Sequence, residues 1–347
     1  MIDWAFLSSS LSQQLPPHWM ELFQQTEEPS FRGQQILDWF YKKYISDPTQ
    51  MTNLPKTIRE HLGQTLIFSR IVENLKAKDG TEKLLIAFPD GSAVECVLIR
   101  QGDRKTACIS TQVGCPVGCV FCASGIGGVK RNLTTGEIVE QIFHLSHLGG
   151  QLDNIVVMGM GEPFLNYTNL IQALRIFNHP QGFNLGARRI TVSTSGILEG
   201  IRRFKKEPEQ FNLAISLHSA DPDLRKKLIP HSRVSIEELL LEGALFQKET
   251  GRRLTLEYVL LAGVNDSEVL AHLLAQKIRG RKFLVNLIPM NPVPELPYQA
   301  SSQETTLKFQ AILKRSGIQT QLRIQRGDPI AAACGQLLRS ALPVQSI

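Results

Sequence analysis

Cys108-Ile-Ser-Thr-Gln-Val-Gly-Cys115-Pro-Val-Gly-Cys119-Val-Phe-Cys122 sets three cysteines with three and then two residues between them. Thiolates this close in sequence can wrap one soft metal centre, zinc or an iron–sulfur cluster. Gly114 and Gly118 let the backbone curl near enough to direct N–H groups at cluster sulfurs. Three local ligands leave one iron of a four-iron cluster without a protein ligand, and an open iron binds substrate or cofactor. A zinc knuckle closed by Cys108 or by a distant histidine is the alternative. Zinc ligands usually come in pairs, however, and this triplet has no matching second pair.

Outward from this loop, the chain reads as alternating strands and helices. Candidate strands are 106–110, 154–158, 189–194, 211–217, 253–260, 283–288 and 318–325, with helices at 135–148, 168–178, 235–249, 266–279 and 303–316. Such alternation predicts a parallel α/β sheet curling toward a barrel, with ligands at the C-terminal ends of the strands. Before it, Lys83–Phe88 and Ser92–Ile99 flank Pro89-Asp90-Gly91, a hairpin signal, and Asp79-Gly80 marks another turn. Earlier still, Ile36, Trp39 and Phe40 share a helix face among helical pieces punctuated by prolines. The expected divisions are a helical domain over 1–65, a hairpin extension over 66–101 and an α/β core over 102–347. Pro289 to Pro297 holds four prolines and reads as an ordered, extended loop.

Composition narrows the function classes. The 347 residues are 42% apolar and 20% charged, an ordinary globular balance. No apolar run reaches the ~18 residues a spanning helix needs. The start Met1-Ile2-Asp3-Trp4 has no basic region feeding an apolar core, so no secretory signal is expected. A cytoplasmic, reducing location follows as an expectation, in which the six cysteines are free, metal-bound or catalytic. The formal charge of +6 is uneven: residues 1–65 hold five Lys/Arg against seven Asp/Glu, and residues 151–347 hold twenty-four against seventeen. Clusters such as Arg188-Arg189, Arg202-Arg203 and Arg225-Lys226-Lys227 are able to neutralise phosphates, although charge alone fits solvated helix ends as well.

Other segments carry weaker signals. Met158-Gly-Met-Gly-Glu-Pro163 follows the second strand of the core, and Glu162 offers a carboxylate to a cationic amine or else simply faces solvent in a tight turn. Thr191 to Gly196 and Ile215 to His218 end later strands with small polar groups suited to a ribose or adenine, or to an ordinary turn. Cys334 lies among alanines and a glycine, accessible to a bulky partner or else a small core residue.

The Cys-x3-Cys-x2-Cys spacing, with Phe121 before the last cysteine and just after the first core strand, resembles the radical S-adenosylmethionine superfamily. Further blocks are similar to the RlmN/Cfr family of RNA methyltransferases within it. They are Phe31-Arg-Gly-Gln-Gln-Ile36, Val94-Glu95, Arg131-Asn-Leu133, Gly159 to Pro163, Ser216-Leu-His218, Ile288-Pro-Met-Asn291 and Ala332-Ala-Cys-Gly-Gln336. The resemblance covers essentially the whole chain.

The resemblance implies a partial (β/α)6-type barrel and one 4Fe-4S cluster on Cys115, Cys119 and Cys122. It places S-adenosylmethionine, two molecules per turnover, against Gly161, Glu162, Ser193, Ser216, Leu217, His218 and Asn291. Cys334 would accept a methyl group from the first molecule. A deoxyadenosyl radical from the second would abstract hydrogen from that methyl, and the carbon radical would add to adenine. Glu95 would remove the ring proton, and Cys108 would attack Cys334, releasing the base through a transient disulfide. Where alternation predicts an exposed residue at Glu95, the resemblance gives it a catalytic role. Cys96 has no role and is expected to pack.

Implied partners are 23S rRNA, tRNA and a low-potential electron donor such as flavodoxin or ferredoxin, for a monomeric protein bound to no membrane. The lead Arg326-Gly-Asp-Pro-Ile330 into Cys334 is closer to the branch that methylates adenine C2, although Pro329 departs from many relatives. Alternatives are a C8-directed enzyme of the same family, a non-catalytic iron–sulfur electron carrier or RNA-binding protein, and another radical enzyme. The helical N-terminal domain resembles an RNA-contacting appendage, but its net −2 makes the basic core half the better candidate for phosphate contact.

Overall fold

Six consecutive strand–helix units account for most of the chain, because each helix returns the backbone to start a strand parallel to the last. In a computed structural model, residues 3–323, 327 and 330–337 are described. Four helices come first: α1 (Trp4–Ser10), α2 (Pro16–Phe23), α3 (Ser30–Tyr41) and α4 (Lys56–His61). An antiparallel meander follows, of β1 (Arg70–Lys76), β2 (Glu82–Ala87) and β3 (Ala93–Gln101), which passes edge to edge into β4 (Arg104–Cys108). A small hairpin, β5 (Gln112–Gly114) with β6 (Val129–Asn132), brackets the cysteine loop.

The alternating part is α5 (Thr135–Gly149), β7 (Asn154–Val157), α6 (Tyr167–Asn178), β8 (Ile190–Thr194), α7 (Leu198–Lys205) and β9 (Asn212–Ser216). It continues with α8 (Pro222–Leu228), α9 (Ile236–Thr250), β10 (Leu254–Leu260), α10 (Glu268–Ile278), β11 (Leu284–Pro289), α11 (Gln303–Arg315) and β12 (Gln319–Leu322). Capping boxes start two of the long helices, Thr134 with Glu137 at α5 and Ser235 with Glu238 at α9.

In the ten-stranded sheet the order is β1-β2-β3-β4-β7-β8-β9-β10-β11-β12, and every pairing from β4 to β12 is parallel. The first and last parallel strands do not pair, so among the described residues the barrel keeps an open seam between β4 and β12. All seven core strands and five helices expected from periodicity are present, with ends shifted by a residue or two at most where both are described. Residues 324 and 325 of the last expected strand, and Arg326, Asp328 and Pro329, lie outside the described residues.

The elements that periodicity misses are short or exposed. α7 and α8 have eight and seven residues, too few for a clear period. β1 is almost wholly exposed and lacks apolar alternation. No described helix is long and apolar enough to cross a membrane.

β2 is buried along its whole length, and so is β3 from Ala93 to Leu98, which corrects the expectation that Glu95 is an exposed strand residue. Leu84, Ile86, Val94, Cys96 and Leu98 join the main core, so Cys96 packs. Lys83 and Glu95, by strand alternation, point to the opposite face. The backbone at Ala331 lies over that side, accepting from Lys83 Nζ.

The N-terminal helices share the main core with the barrel. Phe40 of α3 stacks on Phe143 of α5 with centroids 4.6 Å apart. Beneath this contact, the Glu140 carboxylate accepts from Ser12 Oγ, Phe68 N, Ser69 N and Ser69 Oγ. The Ser69 hydroxyl in turn meets His144 Nε2 at 2.9 Å. This chain of polar groups binds the strand entry at residues 68–69 to α5.

Burial raises the Glu140 carboxyl from 4.5 to about 7 and, with His147 nearby, lowers His144 from 6.5 to about 4. The folded pair therefore keeps its proton on Glu140 at mildly acidic pH, whereas the unfolded chain keeps it on His144. Both states hold one proton between about pH 4.5 and 6.5, so the pair adds little slope to stability. Glu140→Gln leaves His144 alone, whose contribution is complete above its unfolded value and lost as pH falls toward 4. His144→Gln should give the opposite slope, stability being lost as pH rises toward 7. Urea denaturation of both variants across this range should show slopes of opposite sign relative to wild type, each on the order of 3 kcal/mol in total.

Candidate active site

The C-terminal ends of the parallel strands converge on one rim, and the cysteine loop leaves the end of β4 to cover it. The loop holds its curl because glycine is required at its narrow points. At Gly114, φ is +80° and an added Cβ would lie 2.0 Å from the Gly128 carbonyl across the β5–β6 hairpin. At Gly118, φ is +65° and a Cβ would meet the His231 ring at 2.8 Å.

Cys115, Cys119 and Cys122 all line one chamber of about 150 Å³. Backbone N–H groups of Val117 and Gly161 point at the Cys115 sulfur, and those of Ser124 and Gly125 at Cys122. Burial pushes all three thiols up, Cys115 to about 12, so a bound metal is what would hold them as thiolates. Among the described residues, no three His, Cys, Asp or Glu side chains are grouped to grip a single ion. Three soft donors spread along one chamber wall, with N–H groups directed at two of them, fit an iron–sulfur cluster.

Around the same chamber stand most of the positions assigned to S-adenosylmethionine. Gly161 has φ +103° and no room for a side chain, because a Cβ would lie 2.7 Å from Gln112 Cβ. Glu162 is buried, and its carboxylate accepts from Ser195 N at 2.7 Å, Ser195 Oγ at 2.8 Å and Phe164 N at 3.1 Å. It thus ties the loop after β7 to the end of β8 while still lining the chamber. Ser193 and Ser216 end adjacent strands with hydroxyls 3.5 Å apart. His218 adopts φ +57°. Its Nδ1 accepts from Val259 N at 3.0 Å, and burial lowers it to about 3, leaving a neutral imidazole that carries its proton on Nε2.

Two assigned positions have further structural roles. Asn291 Nδ2 donates to Cys334 O at 2.8 Å. Leu217 is fully buried in the main core and absent from the chamber wall.

A second chamber of about 640 Å³ adjoins the first along the open seam, and Cys122, Met158, Asn291 and Cys334 line both. Here the tertiary structure joins Cys108 to Cys334. Both are free, and burial together with the neighbouring Cys334 raises the Cys108 thiol to about 12. Arg323, at the end of β12, lines the same chamber as both thiols. The Cys334 segment is pinned from several sides. Ala123 N donates to Gly335 O at 2.7 Å, Ser124 Oγ to Leu337 O at 2.6 Å and Gln336 Nε2 to Pro292 O at 2.8 Å. Gly327 N reaches Asp79 Oδ2 on the turn before β2. Glu95 lines neither chamber and pairs with Lys83 at 2.8 Å on the hairpin face.

Nothing in the sequence marks Arg323 or Lys83 as a site residue. Ser195 lies in the polar segment Thr191 to Gly196, but only the fold shows which hydroxyl meets Glu162. Arg225, in a basic cluster, has the pattern of a surface cation. Arg225 is buried and donates to Ser195 O and Ser232 Oγ, while Arg252 is buried against backbone carbonyls of 204–209. Arg202 pairs with Glu242 and Lys205 with Glu249. The exposed basic surface is therefore smaller than the residue count implies.

Residues 109–275 match the Radical SAM superfamily, and residues 14–67 match the ribosomal RNA large subunit methyltransferase N-terminal domain. A protein of Dictyoglomus thermophilum named "Probable dual-specificity RNA methyltransferase RlmN" is 45% identical over 89% of this chain and 91% of its own length. One of the same name from Geobacillus kaustophilus is 46% identical over 91% of this chain and 88% of its own. The crystal structure of a radical SAM methyltransferase from Sphaerobacter thermophilus superimposes with a TM-score of 0.90 at 44% identity, covering 94% of this chain and 98% of that one.

Gly114→Ala and Gly127→Ala test the loop, since both glycines have φ near +80° but only Gly114 faces backbone. Gly114→Ala should cost about 1–3 kcal/mol more than Gly127→Ala. Iron and sulfide content after anaerobic reconstitution should fall in the first variant and hold in the second.

Proposed function

The chain belongs to the radical S-adenosylmethionine superfamily and, within it, to the RlmN family of RNA methyltransferases, and on that premise we propose that it methylates C2 of adenosine in 23S rRNA and tRNA. The observation that carries this reading is the shared chamber: two free cysteines, Cys108 and Cys334, face one space that adjoins the wall bearing Cys115, Cys119 and Cys122. An electron carrier has no use for such a pair.

Cys115, Cys119 and Cys122 would hold a 4Fe-4S cluster, and Gly161, Glu162, Ser193, Ser216, His218 and Asn291 would surround S-adenosylmethionine, while Leu217, between Ser216 and His218, packs in the core behind that wall. When bound, these groups supply a reductively generated carbon radical. Cys334 carries the methyl group, and its pinned segment keeps the sulfur at the junction of the two chambers. Glu95 takes the ring proton. The Cys108 thiolate attacks the Cys334 sulfur, so that the S–S bond forms as the S–CH2 bond to the base breaks. The bond's electron pair leaves with the carbon, which takes up a proton to become the methyl group, and a reductant restores both thiols. Two S-adenosylmethionine molecules per turnover, a monomeric enzyme and a low-potential donor of the flavodoxin or ferredoxin class complete the proposal. Helix ends with exposed Lys226 and Lys227 supply phosphate contacts.

Cys334→Ala should bind iron normally and form no methylated adenosine. Wild-type amounts of 2-methyladenosine in rRNA from cells carrying only this variant would overturn the mechanism. Cys108→Ala should accumulate a covalent RNA–protein adduct on denaturing gels after anaerobic turnover. Mass spectrometry of adenosines from both RNAs, in a deletion strain and its complement, separates 2-methyl from 8-methyl products.

A further inference from the structure

We propose that Lys83 is a positioning residue that couples the proton acceptor Glu95 to the segment carrying Cys334, an inference that rests on the roles given to those two residues above. Lys83 and Glu95 face each other diagonally across the β2–β3 hairpin, since Leu85 is the register partner of Glu95. The Lys83 ammonium lies 2.8 Å from Glu95 Oε1 and 3.2 Å from the Ala331 carbonyl, three residues before Cys334. Both side chains are more than nine-tenths buried. Ala331 itself sits at φ +49°, a conformation an alanine keeps only where its surroundings hold it.

A lysine is costly to bury unless its charge is matched, so this pair is retained at a price in desolvation. Its geometry shows what the charge does. One cation spans a strand of the hairpin and a loop 248 residues away. It holds the Glu95 carboxylate by a direct ion pair. It also sets the position of that carboxylate relative to the sulfur that holds the substrate carbon. The other anchors of the segment, at Ala123, Ser124, Asn291 and Gln336, do not involve Lys83. Loss of the ammonium should therefore impair proton removal more than it displaces Cys334.

The test compares Lys83→Met, Lys83→Arg and Glu95→Gln in the reconstituted enzyme with RNA, including RNA deuterated at C2 of the target adenine. Lys83→Gln replaces Lys83→Met if the latter loses cluster or melts early, since it keeps a donor without the charge. Lys83→Met should methylate Cys334 within about threefold of wild type and slow RNA methylation by about a hundredfold (a factor of ten per 1.36 kcal/mol of barrier). The loss should fall on kcat rather than on KM for RNA, the covalent adduct should accumulate, and the deuterium isotope effect should rise as proton removal becomes limiting. Lys83→Arg should recover most of the rate, because a guanidinium reaches both acceptors.

Unchanged RNA methylation by Lys83→Met, or a slower rate with no rise in isotope effect and no adduct, overturns the coupling role. Full activity of Glu95→Gln removes the base reading itself and the role of Lys83 with it. Inactive Glu95→Gln beside active Lys83→Met leaves the base in place and removes Lys83 alone.

Discussion

Six parallel pairings, from β4 through β12, are the constraint on which the remaining structure depends. Parallel strands all end on the same side, so the loops that follow them have to meet. Cys108, Glu162, Ser193, Ser216 and Asn291 each lie at or just beyond a strand end, which gathers side chains nearly two hundred residues apart. Among the described residues the sheet also stops short of closure. A gap between its first and last parallel strands leaves room for the larger chamber, lined by β4 on one side and by β11 and β12 on the other.

The antiparallel meander extends this sheet past β4 and changes what its outermost strands can do. The edge strand β1 is almost wholly exposed, whereas β2 and most of β3, further into the sheet, are buried on both faces. One face joins the main core and the other receives the segment around Cys334. Arg131 secures the tip of this hairpin. Its guanidinium bonds Asp90 and Ser92 on the turn and both oxygens of Glu137 at the start of α5. The hairpin is thereby held against the same element that follows the cysteine loop, and Glu95 and Lys83 share the rigidity of that joint.

Much of the fold was legible because its periods are clean. α5, α6, α9, α10 and α11 each run eleven residues or more with a buried stripe, and the strands between them are short apolar runs. The cysteine triplet was legible for a different reason: ligands within eight residues need no tertiary structure to meet. Glu95 was misread because strand alternation assumes one wet face. Arg225 was misread because a cation beside two lysines looks like surface until a loop closes over it.

By itself the sequence determined the order of elements, the parallel sheet, the thiol triplet and, by resemblance, the family. Those features depend on local periodicity, short-range spacing or residue identity. Only the tertiary structure decided that Cys108 and Cys334 share a chamber, that Ser195 engages Glu162, and that Lys83 stands between Glu95 and the Cys334 segment. These are contacts between residues distant in sequence, whose geometry depends on sheet register and on which loops cover which face. A one-dimensional pattern holds neither.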